Sequence, residues 1–352
     1  MMELALSDAH LAALVGGLGG IVLGLAARLG RFCTLGAIED YLYGNSDLRL
    51  RMWGVAIGVA MLTSFGAGSL GLADLTGAAY LAPGWNPAGH VLGGLMFGIG
   101  MALAGNCGFG ALARLGGGDL RSFVIVLVMG ISAYVFMSGP LSGLRVWLFP
   151  PDLLRTDGPS GLAHMLGTLA GTGPTLPGLL AGAAILGFSC RSRDFLADRK
   201  LVAWGAAVGL AIAFAWVGSS WLAHRSFDAV AVQGYTFAAP LGDSILFAMT
   251  SSGMPITFAV GSVAGVWTGA FLGSLGQGLF RWEACEDPRE LRRQIFGAIL
   301  MGGGAVLSVG CTVGQGLSAI SILSFGAPLT LAGIFAGVVL GLRGLITGFN
   351  AT

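Results

Sequence analysis

The chain of 352 residues is 55% apolar and only 10% charged, with a formal net charge of +1 and a mean hydropathy of +0.82. Soluble domains carry roughly 25% charged residues, so these values exclude a soluble enzyme with a water-facing surface of ordinary size, and the apolar content excludes a disordered chain. The composition predicts an all-α, polytopic membrane protein.

A helix needs about 20 mainly apolar residues to cross the hydrocarbon core of a bilayer. Nine stretches approach this length, two of them overlong and interrupted, and we treat them as one transmembrane domain over 1–352. In chain order the predicted spans are 11–30, 53–73, 90–118, 121–138, 176–190, 201–223, 254–280, 294–323 and 327–348.

Basic residues predict the orientation, because cytoplasmic loops carry the excess of Lys and Arg. If the N-terminus is outside and all nine stretches cross, 15 basic residues fall in inner loops and only Arg145, Arg155 and Arg225 fall in outer ones. We therefore predict a bacterial inner-membrane protein with a periplasmic N-terminus and a cytoplasmic C-terminus. For the longest outer connection, 139–175, we expect a solvated linker, with a lid over an outer entrance as the alternative.

The two interrupted stretches contain the same motif. The copies read Gly93-x4-Gly98-x-Gly100-x2-Leu103-x3-Cys107-x2-Gly110 and Gly297-x4-Gly302-x-Gly304-x2-Leu307-x3-Cys311-x2-Gly314, at a constant offset of 204 residues. Because the first span is predicted to run inward and the second outward, the copies are inverted. This predicts repeat 1 over about 11–138, a connector span over about 176–190 and repeat 2 over about 201–348. Such a plan is typical of transporters with a site near the midplane.

Each copy of the motif ends in permissive backbone, where a helix is expected to break. Non-helical backbone within a membrane must be buried in protein or line a cavity, and short helices following the breaks, about 108–115 and 313–323, would direct positive N-termini at an anion. We predict a substrate site here, in which the polar side chains either bond the substrate or cap the backbone. Its candidate residues are Cys107, Cys311, Asn106, Gly108, Gly110, Gly310, Thr312, Gly314 and Gln315.

The chemistry of the thiol favours a soft ligand, because sulfur is polarizable and its S–H is a weak donor. Cys33 repeats the Cys-x2-Gly spacing, and it either packs or forms the last, cytoplasmic step of a relay. Cys190 and Cys285 are expected only to pack. Two alternatives remain open: a membrane thiol oxidoreductase that uses Cys107 and Cys311 as a redox pair, and a structural or regulatory subunit with inert cysteines.

Several partners are not expected. The five cysteines form no CxxC pair and no Cys/His cluster, so we expect neither a metal site nor a disulfide framework. A GxxxxGK[ST] motif is missing, so ATP consumption by this chain is not expected. We also expect no cofactor, no nucleic-acid partner and no enzymatic activity.

Two glycine-dense segments that each end in Cys-x2-Gly, an early cysteine and nine spans together resemble the YeeE/YedE sulfur-transport family over essentially the whole chain. The resemblance implies import of thiosulfate or a related small sulfur-containing anion, passed between Cys107 and Cys311 through S–H···S contacts, with Cys33 as the third cysteine nearer the cytoplasm. It also implies short helices whose positive ends face the path, and a small cytoplasmic sulfur-carrier protein as a possible partner. The outer loops 74–89 and 139–175 are longer than in the shortest members of the family.

Overall fold

The computed structural model describes residues 7–156, 158–226, 231–284 and 287–350, the last four by backbone only. Apart from two short strands, β1 Gly84–Trp85 and β2 Leu154–Arg155, the described elements are helical. The helices are α1 Asp8–Leu29, α2 Thr34–Leu42, α3 Leu48–Ser69, α4 Pro87–Ala104, α5 Gly108–Leu115, α6 Leu120–Met137, α7 Ser142–Leu148, α8 Leu162–Ala170, α9 Thr175–Ser189, α10 Arg193–Ala197, α11 Arg199–Arg225, α12 Ala239–Thr250, α13 Phe258–Gly276, α14 Pro288–Leu307 and α15 Gly326–Asn350, with a 3-10 turn at Ala79–Leu81 and a π-helical turn at Gly314–Ala319.

The all-α, multi-pass prediction is confirmed. Within the described ranges, seven helical segments are long and apolar enough to cross a membrane, and each corresponds to a predicted span. The other two predicted spans correspond to α9, which has 15 residues, and to α14, whose first turn is charged. The count of nine therefore stays a prediction.

The two helices that carry the motif begin alike. At the start of α4, Asn86 Oδ1 accepts a hydrogen bond from the Gly89 amide at 3.0 Å, and at the start of α14, Asp287 Oδ1 accepts one from the Arg289 amide at 2.8 Å. In both helices proline follows the capping residue, where its missing N–H costs no helical hydrogen bond. Local sequence therefore specifies the beginning of each helix, although α14 begins at Pro288, three residues before the position that the 204-residue offset from Pro87 gives.

Helices α4 and α14 run antiparallel with their backbones in contact. A Cβ atom on Gly93 would lie 2.7 Å from the Gly304 carbonyl oxygen, and one on Gly100 would lie 2.5 Å from the Gly297 carbonyl oxygen. Gly297 and Gly304 are the copies of Gly93 and Gly100, so the two contacts exchange under the 204-residue offset. Reciprocal contacts of this kind are the signature of a local twofold relation.

Neighbouring helices follow the same relation. Gly98 of α4 packs on the backbone of α15, against Ile334 and Val338. Gly302 of α14 packs on the backbone of α6, against Met129 and Ala133, which stand 205 residues before Ile334 and Val338. Both of these pairs are parallel, as are α1 with α13 and α3 with α11. These relative directions are those that inverted repeats require, while the repeat boundaries at about 11–138 and 201–348, and the connector at about 176–190, stay predictions.

The long connection, described over 139–156 and 158–175, is mostly exposed, as expected of a solvated linker, but it also makes specific contacts with the rest of the protein. Its strand β2 pairs antiparallel with β1, and the side-chain amide of Asn86 donates from Nδ2 to the Pro150 carbonyl at 2.9 Å. Ser160 donates its hydroxyl to Ala82 O at 2.5 Å and accepts from the Phe325 amide at 3.1 Å. Hydrogen bonds thus hold the connection against the beginning of α4 and against the residues that follow the π-helical turn.

The helix directions and the arginine distribution together predict the position of the C-terminus. Alkaline phosphatase fused after Thr352 should be inactive, and a fluorescent protein fused there should fluoresce, because the C-terminus is predicted to be cytoplasmic. As a control, phosphatase fused after Gly173, in the predicted outer connection, should be active. Active phosphatase after Thr352 would refute the predicted orientation.

Candidate functional site

The first break is capped by a thiol. Helix α4 ends at Gly105, whose φ of +76° favours glycine, and α5 begins directly after Cys107, as predicted. The Cys107 sulfur accepts a hydrogen bond from the Gly110 amide at 3.4 Å. This is the N-cap geometry, in which the capping side chain accepts from an amide of the first helical turn. Cys-x2-Gly is therefore a capping motif in this structure.

The second break follows the same plan with one surprise. Cys311 accepts from the Gly314 amide at 3.5 Å and from the Phe237 amide at 3.3 Å. However, the residue equivalent to Gly105 in the second copy of the motif is not a glycine. It is Val309, 204 residues later, with a φ of +56°. A β-branched residue rarely adopts this conformation, and such strain concentrates at functional sites. Gly310, the predicted break, comes next with a φ of +156°.

The helix after the second break is shorter than predicted and partly π-helical. Its helical residues run over 312–321 rather than 313–323, and Gly314–Ala319 form the π-helical turn. A π-helical turn inserts an extra residue and is frequent at functional sites. Helix geometry thus differs between the two copies although the sequence motif is the same.

Capping does not use the S–H donor of either central thiol. Cys107 and Cys311 are each 1% exposed, and neither forms a disulfide. In the capping bonds their sulfur atoms accept, which leaves each S–H hydrogen to a ligand or to a neighbouring hydroxyl. The Thr236 hydroxyl is such a neighbour, 3.7 Å from the Cys311 sulfur, and either atom can donate. Capping and ligand binding are therefore compatible in the same side chain.

Three polar atoms at the breaks are buried without a hydrogen-bond partner: Asn106 Oδ1, Thr312 Oγ1 and Gln315 Oε1. The Thr312 hydroxyl also lies next to the Cys107 thiol. The Gln315 amide nitrogen caps α14, donating to the carbonyls of Ser308 at 2.7 Å and Val309 at 3.1 Å. An unsatisfied buried polar group costs about 1–3 kcal/mol, so each one calls for a ligand or an ordered water.

A cavity lies at each end of α4. The cavity at its C-terminal end, here called the Cys33 cavity, has about 520 Å³ and is lined by Cys33, Asn106 and Gly110. Four arginines and one carboxylate, Glu39, also line it, which makes it net positive and attractive to anions. The arginines are Arg28, Arg31, Arg49 and Arg114.

The cavity at the N-terminal end of α4, here called the Arg145 cavity, has about 90 Å³. Tyr80, His90, Arg145 and Gln315 are among its lining residues. The buried Cys107 and Cys311 line neither cavity. The capped breaks therefore lie between the two cavities.

Glycines at the breaks allow side chains from other elements to approach. A Cβ on Gly108 would lie 2.6 Å from the Met129 sulfur, and one on Gly314 would lie 2.7 Å from the Thr236 hydroxyl and 2.9 Å from the Tyr80 hydroxyl. A Cβ on Gly110 would press on Asn106 at 3.3 Å. These predicted positions are thus close-approach sites.

The remaining cysteines are not equivalent to the central pair. Cys33 is the N-cap residue of α2 but makes no side-chain capping bond, and it lies close enough to interact electrostatically with Cys107. Cys190 ends α9, outside both cavity linings. Cys285 lies outside the described residues.

Sequence reasoning missed several residues at the site. Tyr80 and Thr236 come from irregular segments that carry no motif. Phe237, whose amide contacts Cys311, was within reach of the sequence, because it stands 204 residues after Cys33. The Phe237 ring also packs against the Phe109 ring in a tilted arrangement, with ring centroids 5.3 Å apart, so an aromatic pair bridges the two copies beside the thiols.

Comparison with known proteins gives a consistent result. Residues 29–340 match a family described as Sulphur transport. The chain is 26% identical over 340 residues to the thiosulfate transporter TsuA of Escherichia coli, which covers 91% of this chain and 90% of that protein. It is 24% identical over 325 residues to the thiosulfate transporter TsuA of Spirochaeta thermophila, covering 90% and 93% respectively.

The Thr312 hydroxyl leads to a prediction about stability. Thr312→Val should leave the unfolding temperature in detergent unchanged or raise it, because the buried hydroxyl that the methyl replaces meets only the Cys107 sulfur, a weak acceptor. Thr330→Val is the matched control: Thr330 is equally buried, at 0% exposure, but its hydroxyl pairs with His90 Nδ1 at 2.8 Å. The control should lose about 1–3 kcal/mol of its free energy of unfolding. Equal destabilisation of both variants would mean that Thr312 makes a strong hydrogen bond inside the protein.

Proposed function

Because the chain belongs to the Sulphur transport family, we propose that it imports thiosulfate, or a closely related small sulfur-containing anion, across the bacterial inner membrane. The observation that carries this proposal is the pair of buried, capped thiols between two cavities at opposite ends of α4. The names of the two relatives support the choice of thiosulfate. On the described residues, no observation favours the redox alternative.

The anion is proposed to be held by weak contacts from several sides. The N-termini of α5 and of the helix over 312–321 each contribute roughly 0.3–2 kcal/mol to an anion beside them. Cys107, Cys311 and Thr312 add neutral donors, and the Asn106 and Gln315 oxygens accept from water that accompanies the anion. Neither 105–110 nor 310–314 contains Lys or Arg. Weak holding of this kind suits a transporter, which must also release what it binds.

The proposed path runs from the Arg145 cavity past Gln315 and Tyr80 to Cys311, then to Cys107 and Cys33. Since both central thiols are 1% exposed, passage requires the breaks to move. We assign this movement to the strained Val309 and the adjoining π-helical turn, because irregular backbone has fewer helical hydrogen bonds to break. The anion then leaves through the Cys33 cavity toward the cytoplasm, where a small sulfur-carrier protein is the proposed partner.

Serine substitutions at the central cysteines test the proposal. Cys107→Ser and Cys311→Ser should each lose most uptake of radiolabelled thiosulfate, because a hydroxyl still caps the helix but is harder and more strongly hydrated than a thiol. Alanine is the less clean replacement, since it removes the cap, at about 1 kcal/mol, together with the donor. Membrane abundance and unfolding temperature of the serine variants should stay near those of the unaltered protein.

The control for these variants is Cys190→Ser, at the end of α9, which should transport normally. Normal uptake by both Cys107→Ser and Cys311→Ser would refute the relay. Loss of uptake in all three variants would show that serine harms the protein in general.

A competition experiment tests what the thiols select. Thiosulfate and sulfate share charge and tetrahedral shape, so helix termini alone do not distinguish them. Because a hydrated oxygen bonds poorly to thiols, sulfate should compete with labelled thiosulfate at least about tenfold less well than unlabelled thiosulfate, a difference of ~1.4 kcal/mol. Equal competition would mean that the cysteines do not select for sulfur, even if they are needed for transport.

A further inference from the structure

The Arg145 side chain is partly buried and has no ion-pair partner among the described residues. It lies on α7, within the connection that is fastened over the beginning of α4, and its Nε atom is buried and has no hydrogen-bond partner. The ion pairs among the described residues do not include it. A buried guanidinium N–H without an acceptor is unfavourable unless an anion or another acceptor completes it.

The cavity around Arg145 is suited to a small anion. Among its described lining residues there is no Asp or Glu, so Arg145 is not neutralised there. His90 and the buried Gln315 line the same cavity. Gln315 belongs to the helix that Cys311 caps, with its amide donating to the Cys311 carbonyl at 2.8 Å. An anion in this cavity is therefore next to the first proposed thiol step.

The backbone that carries Arg145 is held near the start of α4. Pro150, five residues later, accepts from the Asn86 side-chain amide, and Arg155 is in register opposite Gly84. Holding this segment in place before binding reduces the entropy that binding has to overcome. A connection without such contacts would not provide this preorganisation.

We propose that Arg145 captures the incoming anion at the outer entrance, before the cysteines select it. The inference rests on the proposed function for the identity of the anion and for the outer location of this cavity. Arg145 recognises charge and oxygen acceptors, which thiosulfate and sulfate share. Capture and selection are thus assigned to different residues: Arg145 binds either dianion, and the thiols distinguish them.

The division of roles gives a quantitative test in proteoliposomes. Arg145→Gln should raise the KM for thiosulfate about tenfold, as expected for loss of a charge-assisted hydrogen bond, while the maximal rate changes less than twofold. The inhibition constant of sulfate should rise by the same factor, so that the ratio of the two constants is unchanged. In Cys311→Ser any residual uptake should instead show a changed ratio.

Two further variants complete the design. Arg145→Lys keeps the charge and should recover part of the KM effect. Arg155→Gln is the matched control on the same connection: its side chain is 75% exposed and pairs with Asp152 at 3.6 Å, so its KM should stay unchanged. The unfolding temperature of each variant reports any damage to the fold.

The outcomes separate this inference from the proposed function. Normal thiosulfate uptake with an unchanged KM in Arg145→Gln overturns the inference and leaves the transport proposal standing, whereas no uptake by the unaltered protein overturns the transport proposal. Thiosulfate binding to purified protein in a phosphate-free maltoside detergent identifies the ligand of Arg145. A tenfold loss of affinity there supports anion capture, and an effect confined to liposomes would assign Arg145 to lipid phosphates and overturn it.

Discussion

The rest of the structure depends on backbone contact between α4 and α14. Within a membrane, lipid chains are as apolar as the side chains, so helices associate through close packing and small residues rather than through the hydrophobic effect. The Gly93–Gly304 and Gly100–Gly297 contacts bring the two motif copies together in opposite directions. Because each copy is followed by a helix break, this one crossing brings two capped helix N-termini, and the thiols that cap them, within electrostatic range of each other.

The choice of cysteine as capping residue is informative, because Ser, Thr, Asn and Asp are the stronger caps. An aspartate at either position would place a negative charge where an anion has to pass, and burying it would itself be costly. A thiol satisfies an amide through its lone pairs and still presents a neutral, polarizable donor. The capping bonds at 3.4 Å and 3.5 Å are thus weak, as is suitable for helices that move during transport.

Sequence alone predicted the parts of the site that depend on local chemistry. The glycine-rich backbone around Cys107 predicts the helix break and the beginning of α5 at Gly108, and the 204-residue offset locates the second break; the capping role of the thiols emerged only from the structure. The positive φ of Val309 was missed, since nothing in a valine indicates it. The short helices α2 and α12 were also missed, because acidic residues interrupt their apolar patterns. The fastened connection 139–175 depends on hydrogen bonds to distant loops, which composition does not encode.

The twofold relation breaks beside the thiols, where Cys33 on one side corresponds to Phe237 on the other. On the side with the third thiol, Cys33, the cavity has about 520 Å³ and four arginines in its lining. On the other side, the Arg145 cavity has about 90 Å³ and one arginine in its lining. Such asymmetry changes the rates of entry and release but not the equilibrium. Moving a dianion inward against a negative interior costs about 4.6 kcal/mol for each 100 mV of membrane potential. The proposed import by this chain alone therefore needs a driving force, such as consumption of the anion in the cytoplasm or cations that cross with it.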